Sequence, residues 1–387
     1  MTGAVLPYGR QTIEDDDISA VVEALKSDFL TTGPAVAAFE DAFAETVGAR
    51  HAVACANGTA ALHLAMLALK IQPAEVVVVP TITFLATANC ARYVGAEVMF
   101  ADVDPLSGLM TPQTLAEALS RVGDRKLRAV LPVHLRGDAA DLPGLAQLAG
   151  QAGAVLVEDA PHALGTTMTY GNVAERVGDA RHSAMATFSF HPVKTIATGE
   201  GGMVTTNDAA LAGRLRTMRS HGMVRLEGAD PWWYEMPEPG FNYRLPDILC
   251  ALGLSQLAKL PRFASRRRAL AKAYETALAP LAPAVRIAAR PAWSDPVLHL
   301  MCVLIDFEAV GLTRREVVER LRERGVGTQV HYIPVHRQPY YRDRYGELDL
   351  PGAQGWYDRC LSLPLYPGMA DDDVGRVAEA LKVVLGA

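Results

Sequence analysis

The sequence has no apolar run long enough to cross a bilayer: its most hydrophobic stretch, residues 75–80, falls far short of the roughly twenty residues a spanning helix needs. The start, MTGAVLPYGRQTIEDDD, turns acidic before any apolar run forms, unlike a secretory leader, so a soluble cytoplasmic protein is expected. A basic block is missing too. The 37 Lys and Arg against 43 Asp and Glu leave a net charge of -6 spread along the chain, which argues against a nucleic-acid partner. There is no C-x-x-C, and the five cysteines (Cys55, Cys90, Cys250, Cys302, Cys360) are odd in number and widely spaced. That fits neither a disulfide framework nor a zinc site, so reduced core thiols and no metal are expected. No G-x-G-x-x-G follows an early strand. The turn after HAVACA reads N-G-T-A-A-L, so the fingerprint that a nicotinamide-dependent enzyme would want is missing.

What is present is 387 residues, half of them apolar, enough to bury a large core in two or three domains. Ile18, Val21, Val22 and Leu25 fall at helical spacing, and Val36, Phe39 and Phe43 repeat the pattern after TTGP. Short apolar runs then alternate with helical stretches: HAVACA before 59–70, VVVV before 86–94, EVMFA, AVLPV before 142–150, and AVLVE. This rhythm predicts an α/β fold, a sheet with helices on its faces. Residues 185–190 and 202–206 read as two more strands, joined by a polar loop with a single lysine. Residues 231–246, rich in Pro, Trp, Gly and Tyr, read as an irregular excursion long enough to be functional. A helix with LGLSQL, a basic helix around Ser265, the strand LHLMCVLID, a helix at 313–324, a short strand near Gln329 and a helix from Asp371 follow. Residues 278–289 read as a loose connection. We expect a large domain at 1–260 and a smaller α/β domain at 261–387.

The densest chemistry lies in SFHPVKTIATGEGG, where Lys194 stands between a strand and a glycine-rich bend. A lone loop lysine is ordinarily solvated, so its company decides its reading. In AVLVEDAPHALG, Asp159 sits just past an apolar run, at the strand end where open α/β sheets bind ligands. A carboxylate there can keep the pyridine nitrogen of pyridoxal phosphate protonated; a helix N-cap is the alternative. In CANGTAALHLA, Asn57-Gly58 turns into a helix at Thr59, a ready phosphate cradle or a plain capped turn. Phe84 follows VVVVP, where its ring can stack on a planar cofactor or pack in the core. His191 either satisfies the backbone at a strand end or meets phosphate or substrate.

Taken together NGTAALHLA, TFLATAN, VEDAPHALG, SFHPVKTIATGEGG, GFNYRLPDI and LGLSQL, in this order and spacing, resemble the DegT-type sugar-nucleotide aminotransferases. The resemblance runs nearly end to end and implies the aspartate-aminotransferase (fold type I) architecture, a large domain with a mostly parallel sheet plus a smaller C-terminal domain. It further implies pyridoxal 5′-phosphate held by Lys194 as a Schiff base. In that family Asp159 would pair with the pyridine nitrogen, His162 would lie beside the ring hydroxyl and Phe84 against the ring face, with Gly58, Thr59 and Ser189 around the phosphate. Asn242 would reach the phosphate of a neighbouring subunit, making a homodimer with shared active sites. Members that dehydrate sugars carry histidine in place of the lysine, so Lys194 implies transamination.

LPYGRQTI, LKSDFLTTG, SFHPVKTI with RSHGM after it, and VGTQVHYIPVH are similar to the branch that makes UDP-4-amino-4,6-dideoxy-N-acetyl-β-L-altrosamine for pseudaminic acid. That branch implies L-glutamate as donor and the 4-keto carbon of a UDP-linked 4-keto-6-deoxy-N-acetyl hexose as acceptor. Its sugar-nucleotide contacts would be Tyr8, the turn Asp28, Phe29, Leu30 and Thr31, and the segment Gln329, Val330, His331 and Tyr332. Arg244 is the candidate partner for the donor carboxylate. Other acceptors, a UDP-4-keto-pentose or a GDP- or dTDP-4-keto-6-deoxyhexose, stand as alternatives, as does a non-catalytic regulatory protein on the same fold. The branch can carry NSAT where this chain has NGT, and PWWYEMPEPG has two tryptophans of its own.

Overall fold

The computed structural model describes residues 5–386. Two helices open it, α1 (Asp15–Lys26) and α2 (Pro34–Val47). Three acidic residues in the first turn of α1 complement its dipole. Pro34 begins α2, and Gly48, in the left-handed region, ends it. The chain then alternates through β1 (His51–Cys55), α3 (Gly58–Ala68), β2 (Val76–Pro80), α4 (Leu85–Tyr93), β3 (Glu97–Ala101), α5 (Pro112–Ser120), β4 (Leu127–Val130), α6 (Leu142–Gln151) and β5 (Val155–Asp159). A hairpin, β6 (Thr167–Tyr170) and β7 (Val173–Arg176), precedes β8 (Met185–Ser189), β9 (Gly202–Thr206) and α7 (Ala209–Met218).

Seven of these strands form one sheet in the order β1-β9-β8-β5-β4-β2-β3. Neighbours from β8 to β3 pair in parallel, and β9 runs antiparallel to both β1 and β8. The carboxyl ends of β1, β2, β5 and β8 therefore open on the same edge. Val76 and Val78 belong to one apolar cluster and Val77 and Val79 to another, on opposite faces. A strand covered on both sides has no reason to alternate with polar residues, which explains the unbroken VVVV.

After the excursion come α8 (Asp247–Ala258), α9 (Leu260–Leu278), β10 (Val285–Ile287), β11 (Ser294–Asp295), β12 (Met301–Ile305), α10 (Arg314–Glu323), α11 (Pro339–Tyr345), α12 (Pro351–Arg359), β13 (Cys360–Leu363) and α13 (Asp373–Leu385). Strands β10, β12 and β13 make an antiparallel sheet. Its own core joins Tyr274 of α9 and Leu381 of α13 to Val303 and Leu361. β11 pairs instead with β6.

Three local readings change. Residues 278–289 are not a loose connection: Val285 and Ile287 pair with β12. The strand expected near Gln329 is a single bridge to Ser362, because the chain turns away to carry His331 and Tyr332 inward. The β6–β7 hairpin, whose strands each bury a single residue, leaves too little periodicity to be read. Among the described residues no helix is long and apolar enough to cross a membrane.

Candidate active site

A cavity of about 690 Å³ lies at the carboxyl edge of the main sheet. Lys194 enters it from the β8–β9 loop. That loop is closed by its own backbone: Phe190 donates to Gly201, Thr198 to Phe190, and Lys194 to His191 at 2.8 Å. Gln256 of α8 accepts from Ala197 while its amide donates to Thr12 and Asp17, so the loop is pinned from outside as well. Burial pulls the Lys194 ammonium pKa down to about 8, with Asp159 opposing, so the amine loses its proton far more readily than an ordinary lysine.

Asp159 ends β5 and is 5% exposed. Its backbone bonds Pro132 and His134, which fixes the side chain toward the cavity. Thr87 donates to its Oδ2 at 2.5 Å. The Thr87 hydroxyl has then spent its hydrogen, so the Thr83 hydroxyl, 2.6 Å away, must donate to Thr87. Burial pushes the Asp159 pKa up, against the Thr87 bond and the Lys194 charge. A cationic partner in the cavity would restore the carboxylate, as a protonated pyridine nitrogen does.

The phosphate end has a cradle. Asn57 caps α3 by accepting from Ala60 at 2.8 Å, and the amides of Gly58 and Thr59 at the helix tip have no helical partner. A Cβ at Gly58 would fall 2.8 Å from that of Ser189, so glycine is required for this approach. Ser189 itself reaches the cavity. These features fit pyridoxal phosphate: anion cradle, carboxylate and amine share one cavity.

The cavity also gathers Phe84, whose ring is 58% exposed, together with His162 and His191. From the opposite side come Tyr8 and the segment Gln329, Val330, His331 and Tyr332. Tyr8 is placed by a short ladder in which the Leu6 amide donates to the Gly325 carbonyl and the Leu6 carbonyl accepts from Gly327, and by the Leu365 amide, which donates to the Tyr8 carbonyl. His331 is held between Ser362, 2.8 Å from Nδ1, and the Trp356 indole, which donates to its carbonyl; burial lowers its pKa to about 3.

Six of the expected residues do not line this cavity. Asp28, Phe29, Leu30 and Thr31 form an exposed turn between α1 and α2, Asn242 is exposed, and Arg244 is half-buried. Thr83, Thr87 and His299 line the cavity and were not foreseen. Thr87 lies in the first turn of α4 and Thr83 just before that helix, and no local pattern marked either. His299, alone in the apolar run just before β12, had no such mark either.

An α/β enzyme with this sheet order and a single amine set against a buried carboxylate is a pyridoxal-phosphate-dependent aminotransferase. Comparison with known proteins narrows the class. The DegT/DnrJ/EryC1/StrS aminotransferase family profile matches residues 11–382, and the chain belongs to that family. It is 40% identical to the spore coat polysaccharide biosynthesis protein SpsC of Bacillus subtilis (strain 168), over 99% of this chain and 98% of that one. Among solved structures, Helicobacter pylori PseC, an aminotransferase of pseudaminic acid biosynthesis, superposes with a TM-score of 0.90 at 28% identity, covering 99% of each chain. The pyridoxal-phosphate form of the sugar aminotransferase Spr1654 of Streptococcus pneumoniae matches with a TM-score of 0.88 at 25% identity, again over 99% of both chains. The chain is a sugar aminotransferase, and its cofactor is pyridoxal 5′-phosphate.

Proposed function

We propose that this enzyme moves the amino group of L-glutamate to the 4-keto carbon of a UDP-linked 4-keto-6-deoxy-N-acetyl hexose, forming UDP-4-amino-4,6-dideoxy-N-acetyl-β-L-altrosamine in the cytoplasm. The observation that carries the reading is the placement of Lys194 and Asp159 in one cavity with Tyr8 and the 329–332 segment opposite. The likeness to PseC along the whole chain supports the acceptor.

In this reading the Gly58 and Thr59 amides and the Ser189 hydroxyl bind the phosphate, and Asp159 orients the ring through its nitrogen. Phe84 covers the ring face, and His162 stands beside the ring hydroxyl. Bound there, pyridoxal phosphate supplies an electron sink for the carbanion left when a proton departs. Lys194 would hold the cofactor through Nζ, and its free amine would take and return the proton at the substrate carbon. A pKa near 8 suits both tasks, since the amine can lose and regain a proton close to neutrality.

Tyr8, His191 and residues 329–332 hold the sugar nucleotide. The turn at 28–31 and Arg244 lie outside this cavity in their own chain, and would join a substrate site, Arg244 at the donor carboxylate, only from a partner subunit. Asn242 lies outside the cavity of its own chain, which supports a homodimer in which it reaches the partner subunit's phosphate site. The relative at 40% identity acts in spore coat polysaccharide synthesis, and this favours a second reading: another 4-keto sugar nucleotide destined for a surface polysaccharide. Mass spectrometry after incubation with glutamate and a panel of 4-keto sugar nucleotides separates the two. Amination of the N-acetyl hexose is expected; amination of a pentose or a dTDP sugar alone would replace the first reading with the second.

A further inference from the structure

A hydrogen-bond chain with a fixed direction enters the cavity through His162 and ends on Tyr332. Arg136 sits behind the cavity wall with a left-handed backbone, φ 65°. Its carbonyl accepts from the amides of His299 and Leu300 at 2.7 and 3.2 Å. Its buried guanidinium lies 2.8 Å from the Asp138 carboxylate and donates to the Ala289 carbonyl. So anchored, the Arg136 amide donates to His162 Nδ1 at 3.3 Å. A backbone amide can only donate, so Nδ1 is the acceptor and the neutral ring carries its hydrogen on Nε2. Burial keeps that ring neutral. The His299 ring lies against it, tilted by 35° at 4.5 Å between centroids. His162 Nε2 lies 3.2 Å from Tyr332 Oη and therefore donates to it. The phenol oxygen accepts from His162, and the hydrogen of the phenol is left for another acceptor in the cavity that Tyr332 shares with Lys194.

Resting on the reading that this site aminates a ketone, we propose that Tyr332 is a catalytic residue, the proton donor to the carbonyl oxygen that leaves as water. As the amino nitrogen adds, the carbon–nitrogen bond forms and the carbon–oxygen π pair moves to oxygen, which takes the Tyr332 proton. The phenolate, held by His162 Nε2–H, recovers a proton from the nitrogen. A second transfer from Tyr332 accompanies cleavage of the carbon–oxygen bond, whose electron pair departs with water, and the nitrogen again returns a proton. Both hydrogens of the water come from the nitrogen, and Tyr332 ends as it began. Burial raises the phenol pKa, which keeps it protonated between turnovers, and an alkoxide is basic enough to take its proton. Arg136 and His162 act here as positioning residues.

Tyr332→Phe removes one oxygen and tests this directly. Turnover of the keto sugar, and keto-acid release in the donor half-reaction, should each fall about 10²-fold or more, with the pyridoxal phosphate dissociation constant changed less than about threefold and the loss in kcat exceeding any weakening of sugar-nucleotide binding. Turnover within about twofold of the native enzyme overturns the proposal, and so does a parallel loss of cofactor binding, which would make Tyr332 a packing residue. Nitrogen-15 spectra of ring-labelled histidine in the cofactor-free protein read the tautomer without any activity. A His162 ring protonated on Nε2 is expected, and one protonated on Nδ1 defeats the chain. If the native enzyme aminates no sugar on the panel, the substrate reading fails, while the donor half-reaction, run over a panel of amino acids, and the ring tautomer still decide Tyr332.

Discussion

The sheet-edge wall of the cavity and the aromatic excursion before α8 are built in opposite ways. At the sheet edge Lys194 and Asp159 are tethered by backbone bonds and by the Thr83–Thr87 hydroxyl chain, and Gly58 is too close to Ser189 to admit a side chain. In the excursion Trp232 is 72% exposed and Met236 58%, with two isolated backbone bridges, Val224 to Glu235 and Ser220 to Asn242, closing the segment. Groups that do chemistry need fixed geometry, which a rigid sheet edge supplies. A patch of exposed aromatics has the composition of a surface that another protein covers. The amine and carboxylate at the sheet edge thus come from one chain, and in the proposed dimer the excursion would be covered by the partner subunit.

The contrast can be broken most severely at Lys194. Lys194→Ala should lower turnover by roughly 10⁴-fold, the upper range for loss of a positioned acid-base group. Borohydride reduction should then fail to fix the cofactor to the peptide carrying position 194, as read by mass spectrometry. A fully active variant would remove the amine from the mechanism. Asp159→Asn comes next, at about 10²- to 10³-fold, because the amide leaves the pyridine nitrogen without the charge that an oriented carboxylate provides; steady-state rates with the same sugar check it.

The buried amine also leaves a mark on stability. Its pKa is lowered in the folded chain to about 8 from the usual 10.5, so between these values the unfolded chain binds the extra proton and stability rises with pH. Below pH 8 the cofactor-free protein carries the cost of burying the charge. Lys194→Met should therefore stabilise cofactor-free protein at pH 7 by on the order of 1–2 kcal/mol, allowing for cavity water, with the gain shrinking toward pH 10. Urea unfolding at the two pH values is the measurement; a pH-independent difference would place the amine in open solvent.

Thr87→Val takes the hydroxyl from Asp159 while keeping the volume, and should cost about tenfold in kcat/KM, the worth of one hydrogen bond to a charged group. The smallest effect on the fold is expected on the other side of the comparison. Trp232→Ser with Trp233→Ser should leave the unfolding free energy of the isolated chain within about 0.5 kcal/mol, since neither ring is buried in it. Sedimentation should nonetheless shift from dimer toward monomer. If the rings instead anchor their own chain, unfolding would move and sedimentation would not.

The motifs around Lys194, Asp159 and Gly58 were legible because each stands at a boundary between periodic segments, where an amine, a carboxylate or a turn contrasts with the apolar run before it. The opening helices and the strands of the main sheet were legible for the same reason: the sheet is buried on both faces, so its strands are uninterrupted apolar runs. The β6–β7 hairpin was not, since half-exposed strands of four residues carry almost no pattern. His299 gave no warning either, because its place on His162 depends on β12 meeting the turn after β5.

The sequence by itself determined the alternation of strands and helices, the lysine and the carboxylate, since these follow from periodicity and residue chemistry over short distances. The tertiary structure alone decided that residues 8, 84, 159, 194 and 332 face one cavity, that Thr87 supports Asp159, and that an amide of Arg136 orients His162. Those relations join positions far apart in the chain, 170 residues in the case of Tyr332 and His162, and are fixed by tertiary packing, which no local pattern encodes.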